Sequence, residues 1–165
     1  MPLTGPEPIS ADHVLAGFDS GQPSLDTWLI ARALRNEREG GSRTYVVCDK
    51  SVIAAYYCLA AGSAQRPDMP GRIRRNMPDP IPVMLMGRLA VARSHQGMGI
   101  ARGLVGDAIL RTLKAAEIAG IRALLVHALD SNAAGFYRHL GFLDSPVDPL
   151  VLALPVAVAR KAIDP

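Results

Sequence analysis

Val83-Met84-Leu85-Met86-Gly87-Arg88-Leu89-Ala90-Val91 is an apolar run the length of a buried strand, and Gln96-Gly97-Met98-Gly99-Ile100-Ala101 follows it closely. Beyond lie Leu104, Val105, Ala108, Ile109, Leu113 and Ala116 at helical spacing. Strand, short glycine loop and helix in that order decide the fold. Such a loop presents backbone N–H groups at the positive end of a helix dipole, a ready site for phosphate. A Cβ at the glycines would obstruct the close approach of an anion. No Gly-Lys-Ser/Thr follows, so this is not a Walker loop. Arg102 stands where the dinucleotide fingerprint needs its third glycine. The loop does match Gln/Arg-x-x-Gly-x-Gly/Ala, at Gln96, Gly99 and Ala101. Taken alone, it would suit an ordinary strand-to-helix turn equally well.

Outward from this stretch, the helix is predicted to end near Ala119 with Gly120 as its cap. Residues 122–128 read as the next strand, residues 132–140 as a short helix stopped by Gly141, and residues 149–154 as the strand that closes the sheet. The tail from Pro155 is expected to fray. Upstream, residues 1–12 carry three prolines and predict an irregular start or a short edge strand. Phe18-Asp19-Ser20-Gly21 reads as a turn, after which Ser24 or Asp26 caps a helix through about Arg38. Its apolar side holds Leu25, Trp28, Leu29 and Leu34. Gly40-Gly41 breaks it. Residues 44–48 and 52–59 form a hairpin around Asp49-Lys50-Ser51. Residues 62–82 read as a long connection with five prolines and the cluster Arg72-Ile73-Arg74-Arg75. Gly87, inside the central strand, predicts a bulge or a close backbone approach, and a bulge there would splay the strand from its neighbour.

At 165 residues the chain fits one domain, residues 1–165, with a sizeable core. Hydrophobic residues make up 49% and charged ones 20%, which excludes a disordered chain. No apolar run is long enough to span a bilayer, and the first residues lack the pattern of a signal peptide, so a cytoplasmic location and no membrane partner are expected. Cys48 and Cys58 read as reduced core residues, and the four histidines are scattered, so no metal site is expected. His127 reads as a core histidine. Net charge is only +3, yet residues 66–102 hold seven Arg against Asp68 and Asp79. That local excess suits a polyanion such as nucleic acid or the phosphates of CoA.

A second motif, Phe136-Tyr137-x-x-Leu140-Gly141-Phe142, follows a strand near the C-terminus. Together with the loop at Gln96 to Ala101 it resembles the GNAT N-acetyltransferases, and the order of elements agrees over nearly the whole chain. The resemblance implies a mixed α/β (α+β) fold: a central, mostly antiparallel sheet with splayed central strands flanked by helices. It implies acetyl-CoA as co-substrate, with Leu89 and Val91 beside the pantetheine arm and thioester. Loop residues Gln96, Gly97, Met98, Gly99, Ile100 and Ala101 would hold the pyrophosphate, and Tyr137 would face the leaving sulfur as general acid. Many members carry Asn seven residues before that tyrosine; here Asp130 occupies the position, and Asn132 reads as a helix cap.

Four stretches resemble more narrowly the GNAT toxins that acetylate aminoacyl-tRNA. They are Leu25-Asp26-x-Trp28-Leu29, Ser42-Arg43-Thr44-Tyr45-Val46-Val47-Cys48, Arg74-Arg75-Asn76-Met77-Pro78-Asp79-Pro80-Ile81-Pro82-Val83 and Arg88-Leu89-Ala90-Val91. This likeness implies a homodimer, a ribbon-helix-helix antitoxin as partner, aminoacyl-tRNA as substrate, and a tRNA-binding surface that includes Arg74, Arg75 and Arg88.

The chemistry of the residues agrees. Between Val83 and Ile100 there is no Asp or Glu, so the central strand offers no carboxylate base. A lysine amine at pKa about 10.4 needs such a base far more than an α-amine near 7.7–8.0, a difference of roughly 3.4 kcal/mol of deprotonation. The absence leans toward an α-amine acceptor. Two rivals remain at this point: transfer to a small amine or protein amino group, and an acyl-CoA-binding regulatory module without turnover.

Overall fold

The structure, a computed structural model, describes residues 2–163. Seven strands form a sheet in the order β1-β2-β3-β4-β5-β7-β6. Their ranges are β1 Thr4–Pro8, β2 Arg43–Asp49, β3 Val52–Ala64, β4 Ile81–Val91, β5 Ala123–His127, β6 Leu143–Asp144 and β7 Val151–Pro155. The helices are α1 Pro23–Glu39, α2 Gly71–Arg74, α3 Ile100–Ala116, α4 Ser131–His139 and α5 Val156–Ile163. The pairs β1/β2, β2/β3, β5/β7 and β6/β7 are antiparallel, and β4/β5 is parallel. This is the mixed architecture expected from the sequence.

The chain divides into two compact units, Met1–Ala60 with Gly87–Ala108, and Ala61–Met86 with Ile109–Pro165. In the first unit, α1 lays Trp28, Leu29 and Ala33 on a core with Val46, Cys48, Ile53, Tyr56, Cys58 and Ala90. Val46 and Cys48 alternate along β2 and Tyr56 and Cys58 along β3, while a register shift between Val47 and Cys48 pairs Ile53 with Cys48 and brings it into the same cluster. The Tyr57 hydroxyl on β3 donates to Asp107 Oδ2 on α3 at 2.5 Å, tying that helix to the sheet. The second unit packs Met69, Ile73, Ile81, Val83, Ala123, Leu125, Val151 and Ala153 together.

Several boundaries differ from the sequence reading, each for a local reason. α1 begins at Pro23, a residue suited to a first helical position because it has no N–H to satisfy, and Gln22 precedes it without a side-chain cap. Neither Ser24 nor Asp26 caps it. Part of the 62–82 connection is regular structure, because β3 runs on to Ala64 and α2 supplies one turn that buries Ile73. α3 ends at Ala116 and tapers through turn bonds from Glu117 N–H to Lys114 O and from Ala119 N–H to Ala115 O, so Gly120 is not its cap. Asp130, not Asn132, caps α4, its carboxylate accepting the Ala133 N–H at 2.9 Å. β6, too short to register in sequence, lies outside β7 as the edge strand. The tail forms α5 up to Ile163; residues 164–165 lie outside the described residues.

Candidate functional site

β4 delivers the chain to the loop with a break in its own regularity. The β4–β5 ladder runs from Val83 opposite Ala123 to Met86 opposite Val126. Two residues later Arg88 takes a φ of 43°, a left-handed conformation that is uncommon for a residue with a Cβ. The irregularity expected at Gly87 therefore sits at Arg88. Past it, the Ala92 N–H donates to Ala54 O of β3 at 2.8 Å. N–H groups alternate in direction along an extended strand, so those of Val91 and Leu89 face the opposite edge. Both side chains are half-buried there.

Next comes the loop. A single 3₁₀ turn, Arg93–His95, is followed by Gln96 in extended conformation and by Gly97 and Gly99 at φ 80° and 81°. No protein atom lies within 4 Å of where a Cβ would stand on either glycine, so within the protein it is the positive φ that favours glycine at both positions. The first bond of α3 runs from Gly103 N–H to Gly99 O at 3.2 Å. The N–H groups ahead of Gly103 are thus the orphan donors of a helix start, on an exposed loop. Such a start can bind a phosphate group. The Gln96 amide Nε2 donates to Val91 O and to Ser20 O, both at 2.9 Å. It braces the loop from within.

In the other unit, Tyr137 lies on α4 with its ring edge-on to Phe136 at 5.3 Å and tilted against Phe142 at 5.5 Å. The residue is 6% exposed, and burial pushes the phenol up to about 12. Desolvation disfavours the phenolate, so the group is a proton donor throughout the physiological range. Arg74 closes α2 and Arg75 follows it; both are exposed. Arg88, in the first unit, is also exposed and holds its guanidinium 4.4 Å from the centre of the Trp28 ring.

Residues that carried no signal in the sequence also converge. Glu7, His13 and Cys48 bring a carboxylate oxygen, a ring nitrogen and a sulfur within 4.8 Å of one another. His13 Nδ1 accepts the Ser10 N–H at 2.9 Å, so Nε2 carries the proton and stands 3.2 Å from Glu7 Oε1. That tautomer leaves no lone pair for a metal. Burial, with the Glu7 charge second, pushes the Cys48 thiol up to about 11. The group fits a hydrogen-bonded tie between β1 and the segment after it. Cys48 and Cys58 are buried and unbridged, as read from the sequence. His127 is exposed at the end of β5, which corrects its assignment to the core. No helix among the described residues is long and apolar enough to cross a membrane.

Known proteins are similar to the chain in sequence and in fold. A family model described as an acetyltransferase (GNAT) domain matches residues 40–143. The chain is 49% identical over 160 residues to the tRNA-acetylating toxin of Mycobacterium tuberculosis, covering 97% of this chain and 96% of the relative. Its structure is similar to that of AtaT complexed with acetyl-methionyl-tRNAfMet, with a TM-score of 0.90 and 30% identity, covering 98% of this chain and 99% of that one. It is also similar to a mutant AtaT toxin bound to the C-terminus of the antitoxin AtaR and acetyl-CoA, with a TM-score of 0.84, 29% identity and 100% of both chains covered.

Proposed function

The chain belongs to the GNAT acetyltransferase family, and from that premise we propose that it transfers the acetyl group of acetyl-CoA to the α-amino group of an aminoacyl-tRNA, and so stops translation. The observation that carries this reading is the 49% identity to a tRNA-acetylating toxin across almost all of both chains. The proposed partners are a charged tRNA as substrate, an antitoxin of the ribbon-helix-helix type, and a second copy of this chain in a homodimer. The proposed compartment is the cytoplasm.

In this reading the pyrophosphate of acetyl-CoA binds the N–H groups of Gly97 to Ala101, and its pantetheine arm pairs with the main chain at Leu89 and Val91. The neutral α-amine attacks the thioester carbonyl carbon, forming the C–N bond. The resulting oxyanion is held by a main-chain N–H, most simply that of Val91. The C–S bond then breaks, and Tyr137 hydrogen-bonds the departing thiolate. A phenol near 12 gives its proton to a thiolate near 8.5 only at a cost of about 5 kcal/mol, so full transfer is transient, and the proton that the amine nitrogen sheds as the amide forms replaces it on Tyr137 directly or through solvent. Burial of the phenol supports the role of hydrogen-bond donor over that of a free acid.

The deciding experiment mixes purified protein, radiolabelled acetyl-CoA and a charged total-tRNA pool, with uncharged tRNA as control. Label is expected in charged tRNA alone. Label on free or protein amines, with none in tRNA, would overturn the choice of acceptor and leave the transferase standing.

Arg74, Arg75 and Arg88 are proposed to hold tRNA phosphates. Replacing Arg74 and Arg75 together by alanine is expected to weaken tRNA binding across all isoacceptors and to lower the slope of log affinity against log salt by about 1 to 2. Filter binding from low to moderate salt reads both quantities. An unchanged slope would remove these two residues from the interface.

A further inference from the structure

Neither the loop nor the basic residues account for Leu25-Asp26-x-Trp28-Leu29, the α1 stretch that resembles the tRNA-acetylating toxins. The structure gives it a task. Asp26 stands in the first turn of a helix without a side-chain cap, where a carboxylate would ordinarily serve the helix's own N–H groups. Instead its two oxygens accept the Ser20 N–H at 3.1 Å each, and Oδ1 accepts the Ser20 hydroxyl at 2.6 Å. The Ser20 hydroxyl in turn accepts the Gln22 N–H at 3.2 Å.

The same turn reaches forward to the loop. Ser20 O accepts from Gln96 Nε2 at 2.9 Å, and Asp19 O accepts the Arg93 N–H at 2.8 Å. Asp19 Oδ1 also faces Arg93 Nε at 3.2 Å. Ser20 is buried, so water does not readily substitute for these bonds. Two residues beyond Asp26, Trp28 stacks on Tyr56 at 6.0 Å and 10° and carries the Arg88 guanidinium. The Tyr56 hydroxyl donates to Leu25 O at 2.6 Å, fixing that column to the same turn of helix.

A loop containing two left-handed glycines is free to take many shapes on its own. Binding an anion through its N–H groups must then bear the ordering entropy, unless something else has already ordered them. We propose that Asp26 is a positioning residue for the co-substrate: through Ser20 it braces Gln96, and so holds the N–H groups of Gly97 to Ala101 ready for a pyrophosphate. This inference rests on the reading of that loop as the acetyl-CoA site.

The test measures CoA binding by calorimetry, and the acetyl-CoA KM and kcat with charged tRNA, for the wild type, Asp26→Ala and Ser20→Ala. Asp26→Ala should raise the CoA Kd and the acetyl-CoA KM by about tenfold, the scale of a lost charge-assisted hydrogen bond, with kcat at saturation within about twofold. Ser20→Ala, which keeps the backbone bond to Asp26, should raise both by about threefold. A folded Asp26→Ala variant with unchanged Kd, or with lowered kcat and unchanged KM, overturns the proposal and leaves the acetyltransferase reading intact. If Asp26→Ala does not fold, Ser20→Ala decides on the same readings. A wild type that binds no CoA overturns the reading of the loop itself, and this proposal with it.

Discussion

Tyr137→Phe is expected to lower kcat for acetyl transfer by about 10²- to 10³-fold while leaving CoA affinity within about twofold. The substitution removes one oxygen and keeps the ring. The contacts with Phe136 and Phe142 are therefore preserved, and the melting temperature should not fall. No protein group among the described residues hydrogen-bonds the hydroxyl, so its removal orphans nothing. What is lost is the donor proposed to meet the sulfur as the C–S bond breaks. Single-turnover transfer of labelled acetyl to charged tRNA, alongside calorimetric titration with CoA, separates the two effects. Retained transfer would make Tyr137 a core residue and no more.

The pH profile of the wild type offers a companion check. With the phenol at about 12, no basic limb from Tyr137 should fall within the range in which tRNA esters survive. The rate should instead rise through the titration of the acceptor α-amine, near 7.7–8.0 or below, and then level off.

The largest expected effect on stability is alkaline unfolding. Burial pushes Cys48 and Cys58 up from 9.0 to about 11 each, and Tyr137 up from 10.0 to about 12. Burial raises Tyr56 as well. All four groups are essentially neutral below about pH 8 in both the folded and the unfolded chain, and there they impose no pH dependence. Above it the unfolded chain ionises first, so unfolding releases protons and stability falls as pH rises, until the folded groups ionise too. Holding these protons to a higher pH than in the unfolded chain is together worth several kcal/mol by about pH 12, with Cys58 and Tyr137 foremost. That is a large share of the stability of a domain this size. The melting temperature, measured under reducing conditions, should be flat to about pH 8 and then drop with increasing steepness. Cys48→Ala should be visibly less steep between pH 9 and 11. A flat profile to pH 11 would mean that these groups are not desolvated as described.

How much of this was legible beforehand depends on the range of the interaction. The hairpin of β2 and β3, the end of α1 at Gly40, the start of α3 and the arrest of α4 near Gly141 all follow from local chemistry. A left-handed glycine or a run of β-branched and aromatic residues announces itself within a few positions. Where the sequence reading failed, two local answers competed. Asp26 is a good helix cap by composition, and only the folded turn shows its oxygens committed to Ser20. Asn132 and Asp130 are both good caps, and the helix chose the earlier one. His127 lies among apolar residues, but it is the last residue of its strand and emerges exposed.

The sequence by itself determined the order of strand, glycine loop and helix, the second motif around Tyr137, and with them the family. These are short-range patterns, carried by spacing and by the conformational needs of glycine. The tertiary structure alone decided that Gln96 spends its amide on bracing the loop, that Arg88 leaves the strand geometry and lies on Trp28, and that Ser20 links α1 to the loop. The residues in the loop brace, Ser20, Asp26 and Gln96, are separated by up to 76 positions. Hydrogen bonds between such distant residues leave no periodicity along a chain, because what brings them together is the packing of α1 against the sheet, and that is settled by the core as a whole.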